Sequence, residues 1–310
     1  MRHKNKAIVV GSINMDIVAF VDHHPKIGET ILGREVNYFP GGKGCNQAVA
    51  CKRMGCETSM IARLGDDAFG DQLLAFLQQE GIDIHGVRSV DNVATGCAFI
   101  TVSKNGENSI IVISGANAVW NDDFASDLSI SADDIVLAQF EINDAVIYQA
   151  FKKAKASGAM TILNPAPVRQ ISPEIRSLCD ILVVNEHELA ALSACVINAN
   201  DDESIFNAAE RLGNNAYDAV IVTLGNKGIR LSIQGLRRHI AAKAVAALDT
   251  TAAGDTFIGG LTAGLLSGLE LYKAAELANA AAAISVTRPG AASSIPMLEE
   301  VRKTFALHAP

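Results

Sequence analysis

The chain has 310 residues, and its 26 Lys and Arg against 34 Asp and Glu give a formal net charge of -8 at pH 7. An acidic protein of this kind is not expected to bind nucleic acid nonspecifically, because that requires a basic surface. No uncharged apolar run is long enough to span a membrane, and no signal-peptide-like stretch follows the charged residues 1–6. We therefore expect neither a nucleic-acid partner nor a membrane partner.

The first third of the chain predicts core elements separated by β hairpins. In chain order we expect a strand over 6–11, a hairpin of 16–21 and 30–39, a helix over 41–54, a strand over 58–64, a helix over 66–79, and a second hairpin of 94–102 and 108–114. The two hairpins alternate apolar and polar residues, which is typical of strands with one solvated face. They are expected to form one small sheet beside the main body.

The rest of the chain alternates strands with helices, which predicts a mostly parallel sheet with right-handed crossovers. The elements expected here are strands over 135–140, 160–163, 181–184, 219–224 and 244–248, a hairpin of 229–233 and 236–240, and helices over 144–157, 204–212, 257–266 and 272–286, with a short helix after the second of these strands and a helix after the third. We predict an α/β core domain of residues 1–13, 41–93 and 115–310 that carries a small β-sheet lid of residues 14–40 and 94–114.

The cysteines indicate a reducing environment. None of the six forms a C-x-x-C pair, and no His stands at zinc-like spacing from them; they are Cys45, Cys51, Cys56, Cys97, Cys179 and Cys195. We expect them to be reduced, mostly buried, and part of a cytoplasmic protein.

The segment Asp249–Phe257 is predicted to bind an anion. It lies between an apolar run and a helix, so the amides of Ala253, Gly254 and Asp255 are expected to be free helix-start donors in the positive end of the helix dipole. A carboxylate would repel a phosphate here unless it accepts a proton from an attacking hydroxyl. Asp255 is therefore either a catalytic base or an ordinary helix cap.

A second Gly-rich segment, Gly41–Ala48, opens a helix. Its spacing is that of neither a Walker P-loop nor a dinucleotide fingerprint. Backbone amides and the Asn46 amide at such a turn suit a polyhydroxyl ligand. The alternative is a structural turn between hairpin and helix, where Gly is common.

Three further segments place polar residues at the ends of buried strands, where open α/β sheets bind ligands. Asn14 and Asp16 follow the first strand and could pair with hydroxyls, or could mark a turn. Glu188, one helical turn after Asn185, could reach a metal-bound water; alternatively, the two residues could form an ordinary N-terminal helix cap. The turn at Thr223–Gly228 suits a nucleotide, although its signal is weak.

These segments resemble those of a known family in their order along the chain and in their amino-acid sequence. Gly41–Ala48 and Asp249–Phe257 are similar to the two signatures of the ribokinase-like (PfkB) carbohydrate kinases, and Asn164–Pro167 falls in the family's order. The resemblance extends from Gly11 to Pro296. The chain departs from the family's usual Ala at Cys45 and Ser285, and neither change is expected to matter, since no His partner for a Cys45 thiol is evident.

The resemblance implies the family's fold, a central mostly parallel sheet flanked by helices with a small β-sheet lid, and a role for each matching residue. Asp255 would be the catalytic base, with Ala253 and Gly254 as the anion hole. The implied sugar-binding residues are Asn14, Asp16, Gly42, Lys43, Asn46, Glu141 and Asp255. The implied nucleotide-binding residues are Asn185, Thr223, Gly225, Gly254 and Asn279. Glu188 would hold magnesium through water. The implied monovalent-cation site comprises Asp249, Thr251, Ser285, Arg288, Gly290 and Ser294.

The resemblance further implies ATP-dependent phosphorylation of D-ribose at O5, with Mg²⁺ accompanying ATP, K⁺ as activator, and a homodimer formed through the lid sheets. The alternative within the family is a kinase for deoxyribose, another small sugar or a nucleoside. A non-catalytic binding protein is disfavoured by the intact Gly254–Asp255 pair. A nicotinamide oxidoreductase is disfavoured because the fingerprint after the first strand is missing.

Overall fold

The computed structural model describes residues 5–121, 124–125, 128–213 and 216–306. A 9-stranded sheet runs through its centre, in the order β13-β12-β11-β10-β9-β8-β1-β4-β5. Its strands are β1 Lys6–Val10, β4 Glu57–Gly65, β5 Asp83–Val90, β8 Ile135–Gln139, β9 Met160–Asn164, β10 Ile181–Asn185, β11 Ala219–Thr223, β12 Ile229–Ile233 and β13 Leu236–Ile240. The pairs β11–β12 and β12–β13 at one edge are antiparallel, and the other strand pairs of this sheet are parallel. The predicted fold class is confirmed.

Helices cover both faces of this sheet. They are α1 Lys43–Arg53, α2 Ala68–Gln79, α3 Asp144–Ser157, α4 Pro173–Arg176, α5 Glu186–Ser193, α6 Asp202–Gly213, α7 Ala253–Leu266, α8 Leu271–Ser285 and α9 Leu298–Phe305. Alternate residues of β1 enter two separate cores: Ala7 and Val9 pack on one side, Ile8 and Val10 on the other. A parallel sheet buried on both faces explains why its strands read as continuous apolar runs.

Small residues bring α7 close to its neighbours. A Cβ on Gly259 would lie 2.3 Å from the Ala50 Cβ of α1, and one on Gly264 would lie 2.7 Å from Ala274 of α8. Because these positions carry no side chain, the backbones of α1 and α7 can approach closely. The polar residues at the starts of α1 and α7 are thereby brought together.

The second sheet has 4 strands in the order β3-β2-β6-β7. These strands are β2 Asn14–Phe20, β3 Glu35–Gly41, β6 Gly96–Val102 and β7 Asn108–Ile113. The two predicted hairpins pair antiparallel internally, and β2 joins β6 in parallel register, with Asp16 opposite Ala98. The short polar segment between β1 and β2, which contains Ser12, therefore links the two sheets and leads directly into Asn14.

Two predictions about secondary structure are wrong. The run Ala244–Leu248 is not a strand: it belongs to neither sheet, and Leu248 is 69% exposed. Its small apolar side chains line a cavity instead of filling the core. Conversely β5 was missed, because its sequence DIHGVRSV has little apolar alternation and it pairs at the sheet edge. Within the described ranges, none of the helices combines the length and apolarity needed to cross a membrane.

Candidate active site

Two cavities open on either side of the start of α7. The first cavity, of about 850 Å³, has Asn14, Asp16, Lys43, Asn46, Glu141 and Asp255 among its lining residues. The second cavity, of about 560 Å³, is lined by Thr223, Gly225, Ala253, Gly254 and Asn279 among others. The structure thus brings the expected sugar residues and the expected nucleotide residues into neighbouring spaces that share one helix start.

Asp255 is held by two side-chain amides of α1. Asn46 Nδ2 donates to Asp255 Oδ2 at 3.2 Å, and Gln47 Nε2 donates to Asp255 Oδ1 at 2.9 Å. The side chain is 7% exposed, and burial raises the pKa of Asp255 above its ordinary value, against the charge of Lys43 and these two hydrogen bonds. The capping alternative is wrong, because the helix is capped at Ala252 and Asp255 lies inside the first turn.

The backbone before Asp255 forms an open turn. Ala252 adopts a left-handed conformation with φ 58°, and a Cβ at Gly254 would meet no atom within 4 Å. The amides of Gly254 and Asp255 have no acceptor within the described part of the chain, as expected for donors that face a ligand. The expectation fails for Ala253, whose amide donates to Thr250 O at 3.2 Å.

The start of α1 is fixed by the carboxylate of Glu141, which lies just after β8. Glu141 Oε2 accepts from Ser12 Oγ at 2.5 Å and from the Lys43 amide at 3.0 Å. The Gly44 amide donates to Ser12 Oγ, so these backbone donors are already used within the protein. The cavity receives the side chains of Lys43 and Asn46 instead, and Gly42 does not line it.

Lys43 supplies the positive charge of this site. Burial opposes its charged form, but the carboxylates of Asp255, Glu141 and Glu188 outweigh burial and raise the pKa of Lys43. The residue therefore stays protonated in the first cavity.

Asn14 and Asp16 project from the border strand β2 into the first cavity. Asn117 Nδ2 donates to Asn14 Oδ1 at 2.8 Å and to Ile13 O at 3.0 Å, which leaves the Asn14 amide free to donate into the cavity. Gly96 allows this contact, since a Cβ there would lie 2.2 Å from Asn117 Nδ2. Burial, with the charges of Glu141 and Asp255, raises the pKa of Asp16 to about 7.

The second cavity is mostly apolar. Ala244, Val245, Phe257 and Ala282 contribute to its wall. Asn279 Nδ2 donates to Ala241 O at 2.8 Å, so its oxygen is the polar group left for a ligand. Such a space suits a flat heterocycle with few polar contacts.

Asn185 and Glu188 form the helix cap that the sequence allowed as an alternative. Asn185 Oδ1 accepts from the Glu188 amide at 2.8 Å, and the Asn185 amide donates to Glu188 Oε2 at 2.9 Å, which is a capping box. The pair lines neither cavity. Burial raises the pKa of Glu188, and its charge is coupled to those of Lys43 and Asp255, which places it near the site.

The expected cation residues lie in the loop before α7 and in the adjoining segment that runs from Ser285, the last residue of α8, to Ser294. Asp249 Oδ2 accepts from the Gly290 amide at 2.8 Å, and Asp249 Oδ1 accepts from Thr251 Oγ1 at 2.6 Å. Burial acts against these contacts, but the hydrogen bonds prevail and lower the pKa of Asp249. Ser285 O accepts a hydrogen bond from the Arg288 amide, and the Ser294 hydroxyl donates one to Ala291 O. Among the described residues, no cluster of three or more His, Cys, Asp or Glu could hold a metal.

The sequence reasoning assigned no role to several residues that build this site. They are Ser12, Gln47, Asn117, Gln139 and Asn164. Gln139 carried a usable signal, because it is a lone polar residue in the otherwise apolar strand β8. Cys45 is fully buried and its pKa is raised by burial, so it packs in the core as expected.

Comparison with known proteins agrees with this geometry. The family model described as pfkB family carbohydrate kinase matches residues 4–298. A ribokinase of Haemophilus influenzae is 40% identical over 97% of this chain and 98% of its own length, and a deoxyribokinase of Salmonella typhi is 33% identical over 97% and 98%. The structure of Arabidopsis thaliana ribokinase complexed with ribose and ATP superposes with a TM-score of 0.90, at 33% identity over 99% of this chain and 100% of that one.

The chain belongs to the pfkB family of carbohydrate kinases. It is an enzyme of the sugar-kinase class, and the ribokinases are among its near relatives.

Proposed function

We propose that this protein transfers the γ-phosphoryl group of ATP to O5 of D-ribose, with Asp255 as the general base. The observation that carries this proposal is the position of α7 between the two cavities: Asp255 lines the first, while Ala253 and Gly254 line the second. If the nucleotide is bound in the second cavity and the sugar in the first, the phosphoryl group is transferred at the N-terminus of α7, where the two cavities adjoin.

Positioning and charge stabilisation account for most of the catalysis in phosphoryl transfer. Asn14 donates to a sugar oxygen and Asp16 accepts from hydroxyls, which orients the reacting hydroxyl toward Asp255. Asp255 takes the proton as the new O–P bond forms. The Gly254 amide and the Lys43 ammonium stabilise the negative charge that develops on the transferred group. Thr223, Gly225 and Asn279 line the second cavity and are the proposed nucleotide contacts. Asn185 lies outside the lining of both cavities and is proposed to act at the nucleotide phosphates together with Glu188.

Mg²⁺ accompanies ATP and neutralises charge between its phosphates. Glu188 fits a role toward this ion through water. Its two oxygens accept hydrogen bonds from Asn185 yet keep lone pairs, and it is buried close to Lys43. This side chain would orient a metal-bound water near the nucleotide phosphates.

The substrate is tested by ADP release with a panel of ribose, deoxyribose, other pentoses, hexoses and nucleosides. We expect the highest kcat/KM with ribose, in line with the similarity to the ribokinase relatives. Deoxyribose is the second candidate, because a deoxyribokinase is also similar to this chain. A higher kcat/KM with deoxyribose would favour that alternative, and no ADP release with any sugar would contradict the proposal.

The proposed location of the protein is the cytoplasm, because all six cysteines are free thiols.

We also propose a monovalent-cation site, with K⁺ as its ion, between the loop of Asp249 and Thr251 and the loop of Ser285, Arg288, Gly290 and Ser294. The carboxylate of Asp249 already ties the two loops together through Gly290. Backbone carbonyls of the second loop and this carboxylate are oxygen ligands of the kind that hard cations prefer. A bound ion would fix the turn that carries Gly254.

Turnover is expected to be several-fold faster in potassium chloride than in the same concentration of tetramethylammonium chloride. The organic cation is too large to enter a cage of carbonyl oxygens. Asp249→Asn should reduce the difference between the two salts, whereas Asp71→Asn, an exposed carboxylate of α2, should leave it unchanged. Equal wild-type rates in the two salts would remove the potassium site.

A homodimer formed by the small sheets is the last part of the proposal. Every residue of β7 is exposed, including Ile111 at 63% and Ile113 at 52%, and Phe99 on β6 is 48% exposed. An apolar edge of this kind is a liability unless it is covered. A second copy of the same sheet would cover it. Of the other apolar residues that the sequence placed on this sheet, Ile100 lines the first cavity, Val18 lies opposite Ile100 on β2, and Ile31 lies outside the strands.

Sedimentation at micromolar concentration is expected to give a dimer. Ile111→Glu should give a monomer, since it places a charge in the apolar face that points away from the first cavity; Ile111 pairs with Phe99, whereas the cavity is lined by Ile100 and Ile110. Val196→Glu, at an exposed apolar residue outside both sheets, is the control and should remain dimeric. A fully active wild-type monomer would contradict the dimer as a requirement.

A further inference from the structure

The catalytic carboxylate rests on a chain of buried side-chain amides that the proposed mechanism does not use. Gln139 Nε2 donates to Gln47 Oε1 at 2.7 Å, and Gln47 Nε2 donates to Asp255 Oδ1 at 2.9 Å. Gln47 and Gln139 are both 0% exposed. Neither residue lines the first or the second cavity, so neither is placed to touch a ligand.

The direction of these hydrogen bonds is set by a backbone carbonyl. Val183 O can only accept, so Asn164 must turn its Nδ2 toward it, at 3.1 Å. Asn164 Oδ1 then faces Gln47, which requires Gln47 to present its Nε2 there, at 3.4 Å. The remaining Gln47 oxygen receives the Gln139 amide. The sheet backbone therefore determines which end of Gln47 meets Asp255.

This orientation leaves one polar atom unsatisfied. Gln139 Oε1 is buried without a hydrogen-bond partner among the described residues. A buried acceptor without a partner is unfavourable. The protein accepts this cost while directing a donor, and not an acceptor, at the catalytic carboxylate, which is the pattern expected of a functional constraint.

We propose that Gln47 and Gln139 are positioning residues for the phosphoryl-transfer reaction: Gln47 orients Asp255 and stabilises its charged form, and Gln139 acts through Gln47 by preventing its amide from rotating. A flipped Gln47 would direct its carbonyl oxygen at the carboxylate and repel it. The proposal rests on the proposed role of Asp255 as base.

Other charged groups also act on Asp255, and they are the same in the wild type and in each variant of the test. They are Lys43 of α1, Asp16 of β2, Glu141 after β8 and Glu188 of α5; the Cys45 thiol of α1 also lies near Asp255, but burial raises its pKa and keeps it neutral. The variants of the test replace neutral amides by a neutral thioether, so they change hydrogen bonding to Asp255 without changing this set of charges.

The test is the pH profile of kcat at saturating sugar and ATP, which reports groups in the bound enzyme. A hydrogen bond donated to a carboxylate lowers its pKa, so losing the bond raises the pKa and moves the acidic limb to higher pH. For Gln47→Met we expect an upward shift of roughly one to two pH units, the equivalent of one hydrogen bond to a charged group. Gln139→Met should shift the limb in the same direction by less.

The double variant decides whether Gln139 acts through Gln47. Gln47→Met combined with Gln139→Met should show the same midpoint as Gln47→Met alone, because the relay is already broken. Additive shifts would overturn the relay. Should Gln47→Met not fold, the shift in Gln139→Met still tests the proposal, and an unshifted limb in that variant would overturn it.

A buried polar residue elsewhere on α7 provides the control. Thr262 is 0% exposed, and its hydroxyl donates to Ile258 O within the same helix. Thr262→Val should lower the unfolding temperature and leave the pH midpoint of the wild type. If Gln47→Met behaves like this control, its role is structural and the proposal is wrong.

Wild-type enzyme that releases no ADP would count against the proposed function, whereas active variants with unshifted profiles would count against the relay alone.

Discussion

Asp255→Asn is expected to lower turnover by at least about 10²–10⁴-fold, the range typical when a general base is removed. Asn has nearly the same shape, so the contacts of α1 with α7 can be retained, but its amide cannot take up a proton. Binding of ATP should persist, because the second cavity is formed by other residues. The measurement is the steady-state rate of ADP release at saturating sugar, together with nucleotide binding by calorimetry.

Asp71→Asn is the matched control for this variant. Asp71 is an exposed carboxylate in the first turn of α2, just as Asp255 is a buried carboxylate in the first turn of α7. Its replacement should leave kcat unchanged. Near-wild-type turnover by Asp255→Asn would eliminate the general-base mechanism.

Asp16→Ala should raise the KM for ribose strongly while the KM for ATP stays the same. An unpaired hydroxyl in a buried site typically costs about 1–3 kcal/mol, which corresponds to an increase of roughly five- to 150-fold. Asp16 lines only the first cavity, so a change confined to the ATP KM would show that the sugar site has been misplaced.

The same residue predicts a pH dependence of sugar binding. Because the pKa of Asp16 is raised to about 7, the fraction of charged Asp16 falls as the pH decreases through that value. A protonated acid is a weaker acceptor for hydroxyls, so the ribose KM of the wild type should increase below about pH 7. Asp16→Asn carries no charge to lose, and its KM should be nearly constant over this interval.

The sequence predicted the architecture well because the strands of the large sheet are continuous apolar runs separated by amphipathic helices. The strand β5 was missed for the opposite reason, since an edge strand with polar residues lacks that pattern. The wrong strand at Ala244–Leu248 shows the limit of the same rule. Small apolar residues can line a ligand cavity as readily as a core, and composition alone does not distinguish the two.

The residues of the site were predicted more fully than their contacts. Asn46 and Asp255 are 209 positions apart, and only the close packing of α1 on α7 brings their side chains within hydrogen-bond distance. The relay of Gln139 and Gln47 has the same origin, since its members come from β8 and α1. Gln47 stood inside a recognised segment, but nothing in the sequence indicates that its amide meets the Asp255 carboxylate.

The most direct test of the account is a product balance. Wild-type enzyme is incubated with ribose, magnesium and ATP in potassium buffer, and ADP and sugar phosphate are quantified together, with the position of the phosphate determined by NMR. We predict one ribose 5-phosphate for every ADP and negligible ADP without sugar. ADP formed independently of ribose, or a sugar phosphorylated at a different hydroxyl, would contradict the proposed transfer to O5.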